Sequence, residues 1–270
     1  MTEYRGDARD RPLEEAQKPH HTLLEQQLTQ ALEDLERPVP AILLSALAAG
    51  LDLGFGPFAM AVQTTLTKDV LIKPIQDLLN AALYPIGFLF VVIGRAELFT
   101  EQTTSAIQPV LARRASVAQL FRLWGLVLVA NLIGSTLFAL FATRLGPALG
   151  IIEPSTLGAM AMPLIDKSAL VTFFSAVGAG WLMGLLAWLV IAARDTMSQL
   201  VIVWFTTFLL GLAKLHHSIA GSAEVLMSVF SGGGAGMGDF AHLLVWSVLG
   251  NAVGGCVFVG VLKYGAVQQG

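Results

Sequence analysis

Four stretches of this chain, residues 41–62, 123–143, 169–193 and 241–262, stay apolar for about the 20 residues that a helix needs to cross the hydrocarbon core of a bilayer. The first holds Asp52 as its only charge, and the other three contain no Asp, Glu, Lys or Arg. A soluble core does not normally tolerate several such runs. Composition agrees, since 55% of the 270 residues are hydrophobic, 13% are charged, and mean hydropathy is +0.69. The chain reads as an all-α membrane protein.

Two further apolar runs are broken partway. Residues 78–94, "LLNAALYPIGFLFVVIG", contain Pro85 and run into "RAELFTEQTTSAIQPVL"; residues 199–213 stop at "AKLHHSIAGSAEVL", which places Lys214, His216, His217 and Glu224 between two apolar pieces. Unpaired backbone N–H and C=O groups facing lipid each cost several kcal/mol, so a broken helix at membrane depth must line protein or a water-filled cavity. Counting both gives six spans, with helices 2 and 5 interrupted.

The two halves repeat. "SALAAGLDLG" at 45–54 and "SAVGAGWLMG" at 175–184 share Ser, Ala, Ala, Gly and Gly at identical spacing, and "NLIG" at 131–134 pairs with "NAVG" at 251–254. A three-helix unit ends on the side opposite its start, so tandem copies, about 39–143 and 167–264, must be inverted. In inverted repeats the paired interrupted helices meet near the midplane and form the site.

The remaining segments are aqueous. Residues 1–38 form a tail whose first 37 residues hold 9 of the 19 acidic and 5 of the 16 basic residues, and 265–270 form a short C-terminal tail. No apolar run of signal-peptide type precedes residue 40, so the N-terminal tail is expected to be retained. Leu24, Leu28, Ala31, Leu32 and Leu35 share one face and predict a short amphipathic helix. The tail's charge of −4 leaves +1 for the rest, which does not point to nucleic acid. Lys and Arg near the span ends number six on one side (Arg37, Arg113, Arg114, Arg122, Arg194, Lys263) and four on the other, favouring both termini inside. The lone Cys256 makes no intrachain disulfide.

The chain resembles the formate/nitrite transporter family. "GRAELFTEQT" at 94–103 looks like its G-x-E/D-L-F-T signature, "HHSIAGS" at 216–222 resembles its E-H-S-I-A-N element, and the N-x-x-G pairs fit as well. The resemblance implies an aquaporin-like six-helix protomer in a bacterial inner or plasma membrane, assembled as a homopentamer with one pore per protomer and no cofactor. It implies passage of small monovalent anions or their acids, of the formate, nitrite, acetate, lactate or hydrosulfide type. Residue by residue, His217 matches the pore histidine; Leu98, Phe99 and Thr100 match a mobile loop and cytoplasmic constriction, with Phe88 its partner; Tyr84, Ala187 and Leu210 match the opposite constriction. The sequence departs from the family in having Gly221 and Gly184 where asparagines are expected and His216 where a glutamate is. The vestibule lysine falls nearest Ser168, beside Lys167. These departures mark a divergent branch.

Physical chemistry supports a polar spot at His217. An unpaired anion crossing an apolar constriction faces a Born penalty of order tens of kcal/mol that its neutral acid avoids. Histidine can change charge near neutrality, and half-helix N-termini add N–H donors and partial positive charge opposite, at Thr100 and the backbone of 98–101. Lys214 either attracts anions or pairs with Glu97, Glu101 or Asp52, and Glu97 is a second electrostatic candidate. His216 is expected to face a neighbouring helix or subunit, Glu224 to make a packing hydrogen bond, and Asn131 and Asn251 to hold close helix crossings. Other readings are an aquaporin-like neutral-solute pore, for which paired Asn-Pro-Ala elements are missing, and a non-conducting membrane scaffold. Without a nucleophile beside a base, a nucleotide loop or a metal-ligand cluster of recognisable spacing, the sequence does not read as an enzyme. "SGGGAGMGDF" at 231–240 lacks a preceding strand and a Gly-Lys-Ser/Thr, so it reads as a connector.

Overall fold

A computed structural model describes residues 18–269, and residues 1–17 of the tail lie outside the described residues. The chain opens with α1 (His20–Glu36), whose face of Leu24, Leu28, Ala31 and Leu35, joined by Leu23 and Gln27, is buried against the bundle while Leu32 sits half-buried at its edge. The first span is α2 (Val39–Leu53) and α3 (Phe55–Thr67), meeting at Gly54; the second begins as α4 (Lys73–Leu83) and α5 (Pro85–Ile93), jointed where proline cannot continue the helical ladder. After a break at 94–98 follow α6 (Phe99–Ser105) and α7 (Ile107–Leu111), then the third span, α8 (Val117–Ala148). A peripheral helix, α9 (Pro154–Ile165), leads into the fourth span, α10 (Ala169–Ala192). The fifth is α11 (Thr196–Leu212), a break at 213–217, and α12 (Ser218–Ser231). The sixth is α13 (Met237–Gly255), a π-helical turn at Cys256–Val261, and α14 (Leu262–Gln269).

Among the described residues, five helical stretches are long and apolar enough to cross a bilayer, and the sixth crossing is divided between α11 and α12, each too short alone. The α9 helix has no counterpart among the expected spans; its twelve residues between spans three and four are too few to cross.

The two breaks are built alike. Arg95 (φ 54°) and Lys214 (φ 50°) both take the left-handed conformation, and the amides that follow bond back to the preceding turn, Ala96 to Val91 and Leu215 to Leu210. Three residues then run extended before the next helix starts. Their polar backbone is met by side chains from the repeat. In the first half, Asn131 Oδ1 accepts from the Phe99 amide at 2.9 Å, its Nδ2 donates to the carbonyls of Ala46 and Glu97, and Ser45 Oγ accepts from the Glu97 amide. In the second half, Asn251 does the same for Ser218, Ala176 and His216, and Ser175 Oγ accepts from the His216 amide. Each asparagine sits where its helix presses on a glycine. A Cβ at Gly50 would lie 2.2 Å from the Asn131 carbonyl oxygen, and one at Gly180 equally close to that of Asn251.

After each break the half-helix crosses into the other repeat: α6 packs on α10 and α13, while α12 packs on α8. The leading halves α4 and α5 pack against α11. The breaks therefore meet inside one bundle. Its outside keeps large exposed apolar side chains, such as Leu44, Ile133, Phe141, Phe174 and Phe205, as expected of a surface in contact with lipid or a partner.

Replacing either Asn131 or Asn251 by alanine strands one amide and two carbonyls, and we expect a loss of about 2 to 4 kcal/mol for each variant. Thermal unfolding of the purified protein in detergent checks this, and an unchanged transition would remove the bracing role.

Candidate functional site

His217 stands where the two breaks meet. It is 1% exposed, and as N-cap of α12 its Nδ1 accepts hydrogen bonds from the amides of Ile219 and Ala220, both at 3.2 Å. Two N–H donors facing Nδ1 require a lone pair there, so the ring proton sits on Nε2. Nε2 lies 2.9 Å from Thr100 Oγ1, the second residue of α6, and donates to it. Phe88 packs edge-to-face against the imidazole at 5.1 Å. Tyr84, Phe88, Leu98, Phe99 and Leu210 are all buried and belong to one apolar cluster around this pair.

On one side of His217 lies a cavity of about 470 Å³. His217, Tyr84 and Leu210 form part of its wall, together with Lys68, Lys73, Asp77, Lys214 and Glu224. Asp77 bonds both Lys73 (3.0 Å) and Lys214 (2.9 Å), and Lys68 pairs with Glu153. On the other side of His217 lie the buried Leu98 and Phe99, the latter edge-on against Trp124. Beyond them α1 closes the end: Glu97 is 2.5 Å from Arg37, and Gln102 Nε2 donates to both Glu97 and Asp34.

Several expectations change. Ala187 does not join Tyr84 and Leu210: α10 passes the break at Gly178, whose added Cβ would touch Leu215, and by Trp188 has reached the leucines of α1, so Ala187 lies toward the opposite end. Lys214 pairs with Asp77, not with Glu97, Glu101 or Asp52. Lys167 pairs with Asp166 at 2.6 Å and does not line the cavity. Glu97 is held by Arg37 at the α1 end, away from the cavity. Glu224 makes no hydrogen bond among the described residues and faces the cavity. The donors expected from the half-helix ends are largely engaged within the protein: Ile219 and Ala220 cap onto His217, Phe99 onto Asn131, and Glu101 onto the Leu98 carbonyl. His216 does turn to neighbouring helices, bonding Ser175 and the Leu164 carbonyl. Asn131 and Asn251, expected to hold close helix crossings, also brace the breaks, and Ser45 and Ser175 stood out in the sequence only as a repeat.

A family model described as formate/nitrite transporter matches residues 21–265. The chain belongs to the formate/nitrite transporter family. It is 30% identical over 240 residues to the inner membrane protein YfdC of Escherichia coli (strain K12), covering 88% of this chain and 75% of that one. It is 30% identical over 246 residues to a probable formate transporter of Methanothermobacter thermautotrophicus, covering 84% and 89%. Among solved structures, a channel described as an FNT family ion channel superposes with TM-score 0.80 at 24% identity, over 92% of this chain and 98% of that one. A pentameric formate channel with formate bound superposes with TM-score 0.72 at 23% identity, over 86% and 98%. The fold is thus the aquaporin-like bundle of two inverted three-helix repeats, and the relatives are channels and transporters, not enzymes.

The departures from the family pattern now have a physical setting. A side chain at Gly184 would meet Thr104 Oγ1 at 2.5 Å, so this position is closed by packing, whereas at Gly221 the nearest atom is a Leu243 methyl at 3.5 Å and the space opens on the cavity.

At the α1 end, burial raises the pKa of Asp34 above its ordinary value, opposed by its bond from Gln102. A raised carboxyl stabilises the docked helix at low pH, and that contribution fades as pH rises through the raised value. Protection of α1 amides from hydrogen exchange should therefore fall on alkalinisation, and fall less in Asp34→Asn; an equal fall in both would refute this.

Proposed function

We propose that the protein conducts small monovalent anions of the formate or nitrite type, which cross the apolar constriction as their conjugate acids. The observation that carries this reading is the His217–Thr100 pair, a fixed polar contact between two helix breaks in an otherwise apolar ring, at the floor of a lysine-lined vestibule. A vestibule with lysines raises the local concentration of anions. The constriction then favours the neutral form, since desolvating the charge is the dominant cost. A neutral acid passing His217 meets the Nε2–H and the Thr100 hydroxyl, which replace part of its hydration.

Charging His217 would require withdrawing the Nδ1 lone pair from two helix amides. The imidazole is therefore a better hydrogen-bond donor than proton store, which modifies the role read from its titration range alone.

The relative solved with formate bound is a pentamer, and by analogy we take this chain to be a homopentamer with a pore in each protomer, in a plasma or inner membrane. Arg37, Arg114, Arg122 and Lys263 gather around α1, bonding Glu97, Glu25, the Leu35 carbonyl and the Trp188 face. That cationic end supports a cytoplasmic placement of both termini. On this reading, residues 1–38 are a cytoplasmic tail, 39–264 the channel domain and 265–270 a second short tail.

Leaving a neutral acid without its hydrogen-bond partner at a dry constriction costs about 1 to 3 kcal/mol, so formate or nitrite flux through His217→Phe or Thr100→Val in proteoliposomes should fall about five- to a hundredfold. Unchanged flux in both would end the proposal. Rapid swelling with water, urea or glycerol would favour a neutral-solute pore instead.

A further inference from the structure

We infer that Glu224 is a second working group of the passage, a carboxylic acid that hands its proton to an incoming weak-acid anion in the vestibule before the solute reaches His217. The inference rests on the weak-acid reading above and names the proton donor that His217, capped at Nδ1, does not supply.

Three observations carry it. On α12, His217, Gly221 and Glu224 recur at helical spacing and all line the same cavity. Glu224 is nine-tenths buried, at 8% exposure, yet its carboxyl bonds no protein group among the described residues. Buried polar groups are nearly always partnered, so a carboxyl with its free edge on a solute-sized cavity has water or solute as its partner. Between it and His217 the chain has glycine, although an added Cβ there would meet only ordinary contacts with Leu243 and Leu164. The floor from Glu224 to His217 is left open.

Charge balance favours the same assignment. Lys68, Lys73 and Lys214 line the cavity with Asp77, which bonds Lys73 and Lys214, while Lys68 is answered from outside the lining by Glu153 and Asp69. Among the lining residues, three lysines against Asp77 leave a charge of +2 while Glu224 is protonated and +1 once it ionises. A vestibule that draws an anion inward and then gives up a proton lowers its own positive charge by one as the solute becomes neutral. The other titratable groups on this cavity are Tyr84 and His217. Nothing charged from α8, α9 or α13 lines it; Asp166, Lys167 and His242 gather around His216 instead.

In the step itself, the O–H bond of the Glu224 carboxyl breaks and an O–H bond forms on the solute oxyanion. Glu224 is left as carboxylate and takes its next proton from vestibule water. One proton thus accompanies each anion, and net transfer is electroneutral.

The test is uptake of radiolabelled formate and nitrite into proteoliposomes holding the native protein, Glu224→Gln, Glu224→Asp or His217→Phe, over a range of external pH. Elution volume and thermal transition of each variant in detergent establish that it is folded. Well above the pKa of the solute acid, where free acid is scarce, Glu224→Gln should lose about a hundredfold in flux, the low end for a positioned general acid, and Glu224→Asp should recover part of it. Near that pKa the solute arrives already protonated, and Glu224→Gln should approach native flux. A native-to-variant ratio that does not change with pH, whether one or uniformly large, would overturn the assignment. So would a larger anion current in Glu224→Gln, which would make the residue a charge barrier. If the native protein carries neither solute at any pH, the weak-acid reading itself fails; if it does, and His217→Phe abolishes flux while Glu224→Gln keeps the native pH profile, only the role of Glu224 is lost.

Discussion

Backbone polarity at membrane depth governs this molecule. A passage through a bilayer needs polar groups inside, yet every uncovered N–H or C=O in the hydrocarbon region costs several kcal/mol. The fold meets both demands by breaking two helices and assigning each break one asparagine, with one amide accepted and two carbonyls satisfied, plus a serine for the neighbouring amide. Left-handed Arg95 and Lys214 then turn the chain so that helix ends aim at a common point. The site follows from this bracing, because His217 and Thr100 are the residues at and just past the ends of the extended stretches.

Much of the plan was legible from the residues. Apolar runs of sufficient length declared the spans, and runs cut by Pro85 or by Lys214, His216 and His217 declared which helices were broken. The repeat of Ser, Ala and Gly at 45–54 and 175–184 was visible as pattern, but its cause was not. Those residues are alike because they supply the serine, the carbonyl and the close glycine contact that each brace needs, a three-dimensional demand with no linear signature. Asn131 and Asn251 were read as holders of helix crossings; they do stand at such crossings, beside Gly50 and Gly180, and also hold the breaks.

Side-chain partners were harder to foresee. Lys214 meets Asp77, 137 positions earlier in the chain, because α4 and α11 pack together, and spacing says nothing about which distant helices adjoin. The direction of Glu224 depended on how α12 is rotated against α8 and α9. Ala187 was assigned by resemblance, and the height of a residue along a continuous helix such as α10 is easily displaced when neighbouring motifs are the guide.

The exchange of half-helices between repeats bears on how the protein is made. The Ser218 amide waits on Asn251, 33 residues downstream, and α12 rests on α8, while α6 rests on α10 and α13. A chain emerging from the ribosome therefore inserts α6 before the helices that cover it exist, and holds the second break uncovered until the last span has entered. Neither half is a self-sufficient folding unit. Membrane biogenesis of this protein has to shelter two polar gaps until its final helix closes the bundle.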